Sequence, residues 1–206
     1  AMGISEKDCA LLEEIQSRAL WLAVRMIDHA NHDRVNIDGI KVGGHQASSA
    51  SMSSILTSLY MYHLTAQDRV SVKPHSSPFF HSIQYLLGNL DKKYLTMLRS
   101  AGGLQSYPSR TKDPDIVDFS TGSVGLGAAA PLFAGVTRRY VDAHFGARAH
   151  SRFIALIGDA ELDEGNIWEA VADPATDGLG NVMWVVDFNR QSLDRVIPGI
   201  RCLLYT

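Results

Sequence analysis

Two short apolar runs constrain the fold of this chain more than any other feature. Phe153-Ile154-Ala155-Leu156-Ile157 and Val182-Met183-Trp184-Val185-Val186 each have strand length, and each stops at an acidic residue, the first at Gly158-Asp159 and the second at Asp187. Neither run alternates apolar with polar residues, so burial on both faces is expected. The intervening stretch Asn166 to Ala172 reads as helix. A strand, a helix and a second uniformly apolar strand predict a mostly parallel sheet with helices on both faces, a layered α/β/α fold. Arg69 to Lys73 reads as a further short strand, which Pro74 ends.

The remaining elements read as helices and one long loop. Ser5-Glu6-Lys7-Asp8 is a capping-box-like start, and Leu11, Leu12, Ile15, Ala19, Leu22, Met26 and Ile27 follow at helical spacing. This gives a helical N-terminal approach over 5–31, broken by D-H-A-N-H-D-R. Gly43-Gly44-His45 opens a second helical stretch to about His63. Phe79 to Leu87 and Lys92 to Ser100 are expected to be helical. Gly102 to Asp118 is a long Gly-, Ser-, Pro- and Asp-rich loop, and such loops in a compact domain are usually functional. Thr121-Gly122-Ser123-Val124-Gly125-Leu126-Gly127 then leads into a helix reaching about His144. With no repeat, low-complexity segment or linker, a single α/β domain over 1–206 is expected, with an atypical end at 201–206.

Composition excludes several classes. The chain has 19 basic and 22 acidic residues, a net charge of −3, and no basic stripe, so nucleic acid is not an expected partner. No run approaches the roughly 20 apolar residues of a membrane-spanning helix, so no membrane partner is expected. Cys9 and Cys202 are too few for a disulfide framework, and Ser5 to Arg18 does not read as a secretion signal. A cytoplasmic setting is the expectation.

In open parallel sheets ligands bind at the carboxyl ends of strands. Asp159 and Asn189 follow two such ends and are close enough in that arrangement to share one cation. A carboxylate with amide and carbonyl oxygens suits a hard ion such as magnesium or calcium. Asp and Asn are also ordinary turn residues, and residue chemistry alone favours that plainer alternative. The glycine segment at 121–127 can present backbone amides to an anion at a helix start, or simply allow tight helix–sheet packing. His29 and His32 are three apart, and His75 and His81 six apart, without a carboxylate or cysteine set of zinc type. His45 and His75 differ in standing at loop-to-helix junctions beside Gly, Ser or Pro.

Taken together, these segments resemble the thiamine diphosphate enzymes of the transketolase group, and especially the homodimeric pyruvate dehydrogenase decarboxylating component. Gly158-Asp159-Ala160 resembles the start of that family's diphosphate motif, and Asn189, thirty residues beyond Asp159, resembles its end. The family pattern has glycine where Ala160 stands. Gly43-Gly44-His45, Lys73-Pro74-His75-Ser76, Gly103-Leu104-Gln105-Ser106-Tyr107-Pro108 and T-G-S-V-G-L-G fall in family order.

The resemblance implies a thiamine diphosphate-binding fold and specific roles. Asp159, Asn189 and the Gln191 carbonyl would ligate magnesium. Ser48, Tyr107, Gly122, Val124, Gly125, Gly158, Asp159, Ala160 and Glu161 would line the cofactor, and His45 and His75 would be catalytic. The expected substrate is a 2-oxo acid or, second, a ketose, cleaved next to its carbonyl. The resemblance also places the cofactor-activating glutamate in a pyrimidine-binding domain for which this sequence offers no candidate. A truncated diphosphate domain is therefore expected, completed by a homo-oligomer or by a separate chain. A non-catalytic, repurposed fragment and a histidine-based metal-dependent hydrolase are the alternative expectations.

Overall fold

The computed structural model describes residues 4–35, 39–40, 42–192 and 195–196. The chain forms two compact units, one from Ala1–Leu64 and His75–Val117, the other from Thr65–Pro74 and Asp118–Thr206.

The first unit is helical. Helix α1, Glu6–Asp28, starts where the sequence predicts: the Ser5 hydroxyl accepts the Asp8 amide at 3.1 Å. It does not stop at Asp28, because His29–Asp33 continues as a π-helical turn, closed by the Arg34 amide on the His29 carbonyl at 2.9 Å. Arg25 bridges Asp28 and Asp33, and His32 pairs with Asp28 at 2.8 Å. These pairs hold polar residues in helical geometry that their own propensities do not favour.

The stretch from Gly43 to His63 is two short helices rather than one. Helix α2 spans Gln46–Ser51 and α3 spans Ser53–Ser58, with a break at Met52 and a π-helical turn over Leu59–His63. The Ser-rich start explains the interruption, since serine side chains compete for backbone hydrogen bonds. Helix α4, Ser77–Leu86, packs against α1 and is buried from Ser77 to Gln84. The unit's core holds Met26, Ile27, Ala30, Leu90, Leu98 and Leu104.

Lys92 to Ser100 departs from the expected helix. Lys92–Thr96 is a 3-10 turn, after which Leu98 pairs with Leu104 and the Arg99 amide donates to the Leu104 carbonyl at 2.7 Å. Burial of Leu98 and Leu104 in the core overrides the local helical pattern.

The second unit is α/β. Strands β1 (Arg69–Ser71), β2 (Phe153–Gly158) and β3 (Val182–Asp187) form a parallel sheet in the order β1-β2-β3, with Gly158 opposite Asp187. Helix α5, Leu126–Phe145, contacts all three strands, and α6, Gly165–Ala172, packs on α5. Ala128, Ala155, Ile157, Leu162 and Ile167 form the core beneath Trp184. The layered α/β architecture with a parallel sheet is as the sequence predicts. Burial on both faces holds for β2 but not for β3, whose Met183 and Val186 are exposed by 40% and 38%. Among the described residues β3 pairs on one side only, so less of it is covered. Two-residue strands β4 (Gln191–Ser192) and β5 (Arg195–Val196) pair antiparallel after it. The atypical end at 201–206, with Cys202, lies outside the described residues.

Candidate functional site

The carboxyl ends of all three parallel strands in the second unit carry polar groups. At the end of β2 the chain enters a 3-10 turn, Asp159–Asp163, and the Glu161 carboxylate accepts the Gly158 amide at 3.0 Å. Asp159 is 1% exposed. Its Oδ1 accepts the Ala160 amide at 3.0 Å, and its Oδ2 accepts the Arg190 amide at 2.8 Å. Arg190 has φ +58, one of two non-glycine residues with positive φ among those described, which aims its N–H back at Asp159. Ala160 is not among them, so its methyl group meets no left-handed strain where the family pattern has glycine.

At the ends of β1 and β3, Lys73 and Asp187 form a buried ion pair of 2.7 Å. The Asn189 amide nitrogen donates to the same Asp187 oxygen at 3.2 Å. Burial pushes the Glu161 carboxyl up, against the amides of Gly158 and Gly125 and the Lys73 ammonium, which pull it down. Asp159 is thus a buried carboxylate held by main-chain amides, with no cationic side chain in ion-pair contact among the described residues. Carboxylate and amide oxygens are the donor types a hard divalent metal takes.

The glycine segment belongs to the same unit. Gly125, φ +85, caps α5 and lies against Asn166, so a side-chain carbon there would come within 2.2 Å of the Asn166 oxygen. Gly122 and Val124 are exposed before it. Gly158, Asp159, Ala160, Glu161, Gly125 and Asn189 are therefore brought into one unit at one end of the sheet. Gln191 opens β4 two residues past Asn189, and its side chain lies outside the described residues. Sequence reasoning missed Lys73 and Asp187 as a pair, although both stand at strand ends, where the same rule applies.

The first unit holds the other residues named from sequence. His45 stands exposed at the start of α2, with the half-buried Ser48 one turn on. His75 and Tyr107 meet edge to face, ring centroids 5.4 Å apart. The Arg99 guanidinium lies 5.8 Å from the Tyr107 ring centre and donates to the Val42 carbonyl at 2.7 Å. Among the described residues, neither histidine pair singled out by spacing stands together in a cluster of potential metal ligands. His81 instead pairs with Asp115 at 2.6 Å, and with Asp113 offers ligand atoms within 4.8 Å of one another. No described helix is long and apolar enough to cross a membrane.

The chain shares its fold, a parallel α/β sheet whose strand ends gather Asp159, Glu161, Asp187 and Asn189 beside a glycine-capped helix, with solved transketolases. The profile of the 1-deoxy-D-xylulose-5-phosphate synthase family matches residues 32–206, most of the chain, and the chain belongs to that family. It is 31% identical over 195 residues to the pyruvate dehydrogenase E1 component of Cupriavidus necator, covering 90% of this chain and 21% of that protein. It is 28% identical over 200 residues to the E1 component of Escherichia coli K12, covering 92% and 22%. The chain thus spans about a fifth of the length of these curated relatives. Among solved structures it resembles transketolase from Campylobacter jejuni, with TM-score 0.74, 23% identity, and coverage of 93% of this chain and 29% of that one.

Proposed function

We propose that this chain supplies the diphosphate- and metal-binding part of a thiamine diphosphate-dependent enzyme acting on a 2-oxo acid or a ketose. The observation that carries the reading is Asp159: a buried carboxylate fixed by two main-chain amides at the ends of β2 and β3, one of them from Arg190, the residue after Asn189. Asp159, the Asn189 oxygen and the Gln191 carbonyl would hold magnesium. Gly122, Val124, Gly125, Gly158, Ala160 and Glu161 would shape the diphosphate pocket, and Ser48 and Tyr107 would line the cofactor from their own unit. When bound, the cofactor supplies a carbon nucleophile and an electron sink for cleavage next to a carbonyl.

The chain's own residues would prepare and serve that chemistry. Glu161 closes the turn after β2 by accepting the Gly158 amide, which fixes the peptide that would face the diphosphate. Lys73 neutralises Asp187 and so limits the negative charge gathered at the strand ends. His75 and His45 would hold substrate oxygens or carry protons. The pyrimidine-binding part would come from a longer protein, a second copy or a separate chain.

Calorimetric titration with thiamine diphosphate, with and without magnesium, tests this. Binding that needs magnesium and disappears in Asp159→Ala supports the reading. A folded chain that does not bind, or an Asp159→Ala variant that binds as well as the parent, overturns it.

A further inference from the structure

Among the described residues, Arg99 has no carboxylate as counter-charge. It is partly buried, its Nε is buried with no hydrogen-bond partner, and no carboxylate lies in ion-pair contact with it among the described residues. Its Nη1 donates to the Val42 carbonyl at 2.7 Å, and its Nη2 reaches the Ser106 carbonyl only at 3.5 Å. Burial lowers its pKa from the usual arginine value, with Tyr107 acting in the opposite direction. Arg138 and Arg152, by contrast, each pair with an aspartate.

Three further features mark the position. Arg99 has φ +55, and non-glycine residues held there concentrate at binding and catalytic sites. Gly44, φ +86, brings its main chain so close that a side-chain carbon would sit 3.1 Å from Nη2. The guanidinium lies over Tyr107, whose ring meets His75 edge to face. A partly desolvated guanidinium without a carboxylate partner favours an incoming anion, and its planar fork matches a carboxylate.

We propose that Arg99 is a substrate-recognition residue that takes the carboxylate of a small organic acid, with Tyr107 and His75 beside it to meet the neighbouring polar group. Arg99 is the one permanently charged group in this cluster, which suits a monoanionic carboxylate better than a dianionic phosphate. The choice of a 2-oxo acid rests on the function proposed above; the anion site itself rests on Arg99.

The test is a titration of the whole chain, without cofactor, followed on the Arg99 side-chain Nε–H by nitrogen-15 NMR. The probes are pyruvate, its uncharged methyl ester and inorganic phosphate. Pyruvate is expected to shift this resonance saturably, with the ester and phosphate at least tenfold weaker. Arg99→Met, shown folded by circular dichroism, is expected to weaken pyruvate binding at least tenfold, and Arg99→Lys less. Thiamine diphosphate titration of Arg99→Met should match the parent, which separates this site from the cofactor reading. An unmoved Arg99 resonance at millimolar pyruvate, a preference for phosphate, or unchanged pyruvate binding in Arg99→Met would each overturn the proposal.

Discussion

The Lys73 ammonium sits 2.7 Å from the Asp187 carboxylate, both side chains less than a tenth exposed, and joins the carboxyl ends of β1 and β3 across β2. Removing one member of such a pair leaves the other charge buried. Asp187→Ala is expected to lose about 3–5 kcal/mol. A Lys73→Met/Asp187→Leu double variant should recover much of that loss. Denaturant midpoints at constant slope measure both.

Asp68 anchors the start of β1. It accepts the amides of Thr65 and Arg152 and the Arg152 guanidinium at 2.7–3.2 Å. Burial by itself would raise its pKa, but Arg152 and these amides outweigh burial and hold the carboxyl well below the usual range. The depressed folded value means that the stabilisation is complete above the unfolded pKa of about 3.9 and is lost as pH falls below it. Thermal unfolding of the parent and Asp68→Asn should therefore differ at pH 6 and converge as the solution becomes strongly acidic.

Gly125 holds φ +85 with Asn166 directly against it. Gly125→Ala is expected to cost about 1–2 kcal/mol for the left-handed backbone alone. Displacement of Asn166 adds to that. An Asn166→Ala change in the same chain should return the second part and not the first, as chemical denaturation would show.

Asp113 ties the loop between Gly103 and Val117 together by accepting the Gln105 and Ser109 amides, both at 2.7 Å. Asp113→Ala leaves two amides unsatisfied, each costing about 1–3 kcal/mol where water cannot replace the carboxylate. The variant should be cleaved faster by protease within 105–115, with little change in cleavage elsewhere.

Ser5→Ala removes the cap of α1 and is expected to cost about 1 kcal/mol. Hydrogen exchange should quicken at the Asp8 amide, which the Ser5 hydroxyl now holds.

Much of this fold was legible because its signals are local. The runs at 153–157 and 182–186 have no polar residue to turn outward, so they read directly as sheet. Ser5 is a cap by its own chemistry. Asp159 and Asn189 were legible as site residues because their spacing resembles a known pattern. Lys92 to Ser100 was not legible: Leu98 leaves helical geometry to pair with Leu104 in a core that no local window contains. The π-helical turn after Asp28 depends on Arg25 reaching Asp33, eight residues away.

The sequence by itself determined the three parallel strands, most helix positions, the family resemblance and the polar strand ends. Periodicity, capping and spacing are properties of neighbours along the chain. Only the tertiary structure decided how charge is compensated. Lys73 and Asp187 neutralise each other across 114 residues, Asp159 is held by the Arg190 amide, and Arg99 has no carboxylate partner among the described residues. The reason is physical: the cost of a charge depends on its burial and on what lies within a few ångströms, and both are set by packing rather than by order in the chain.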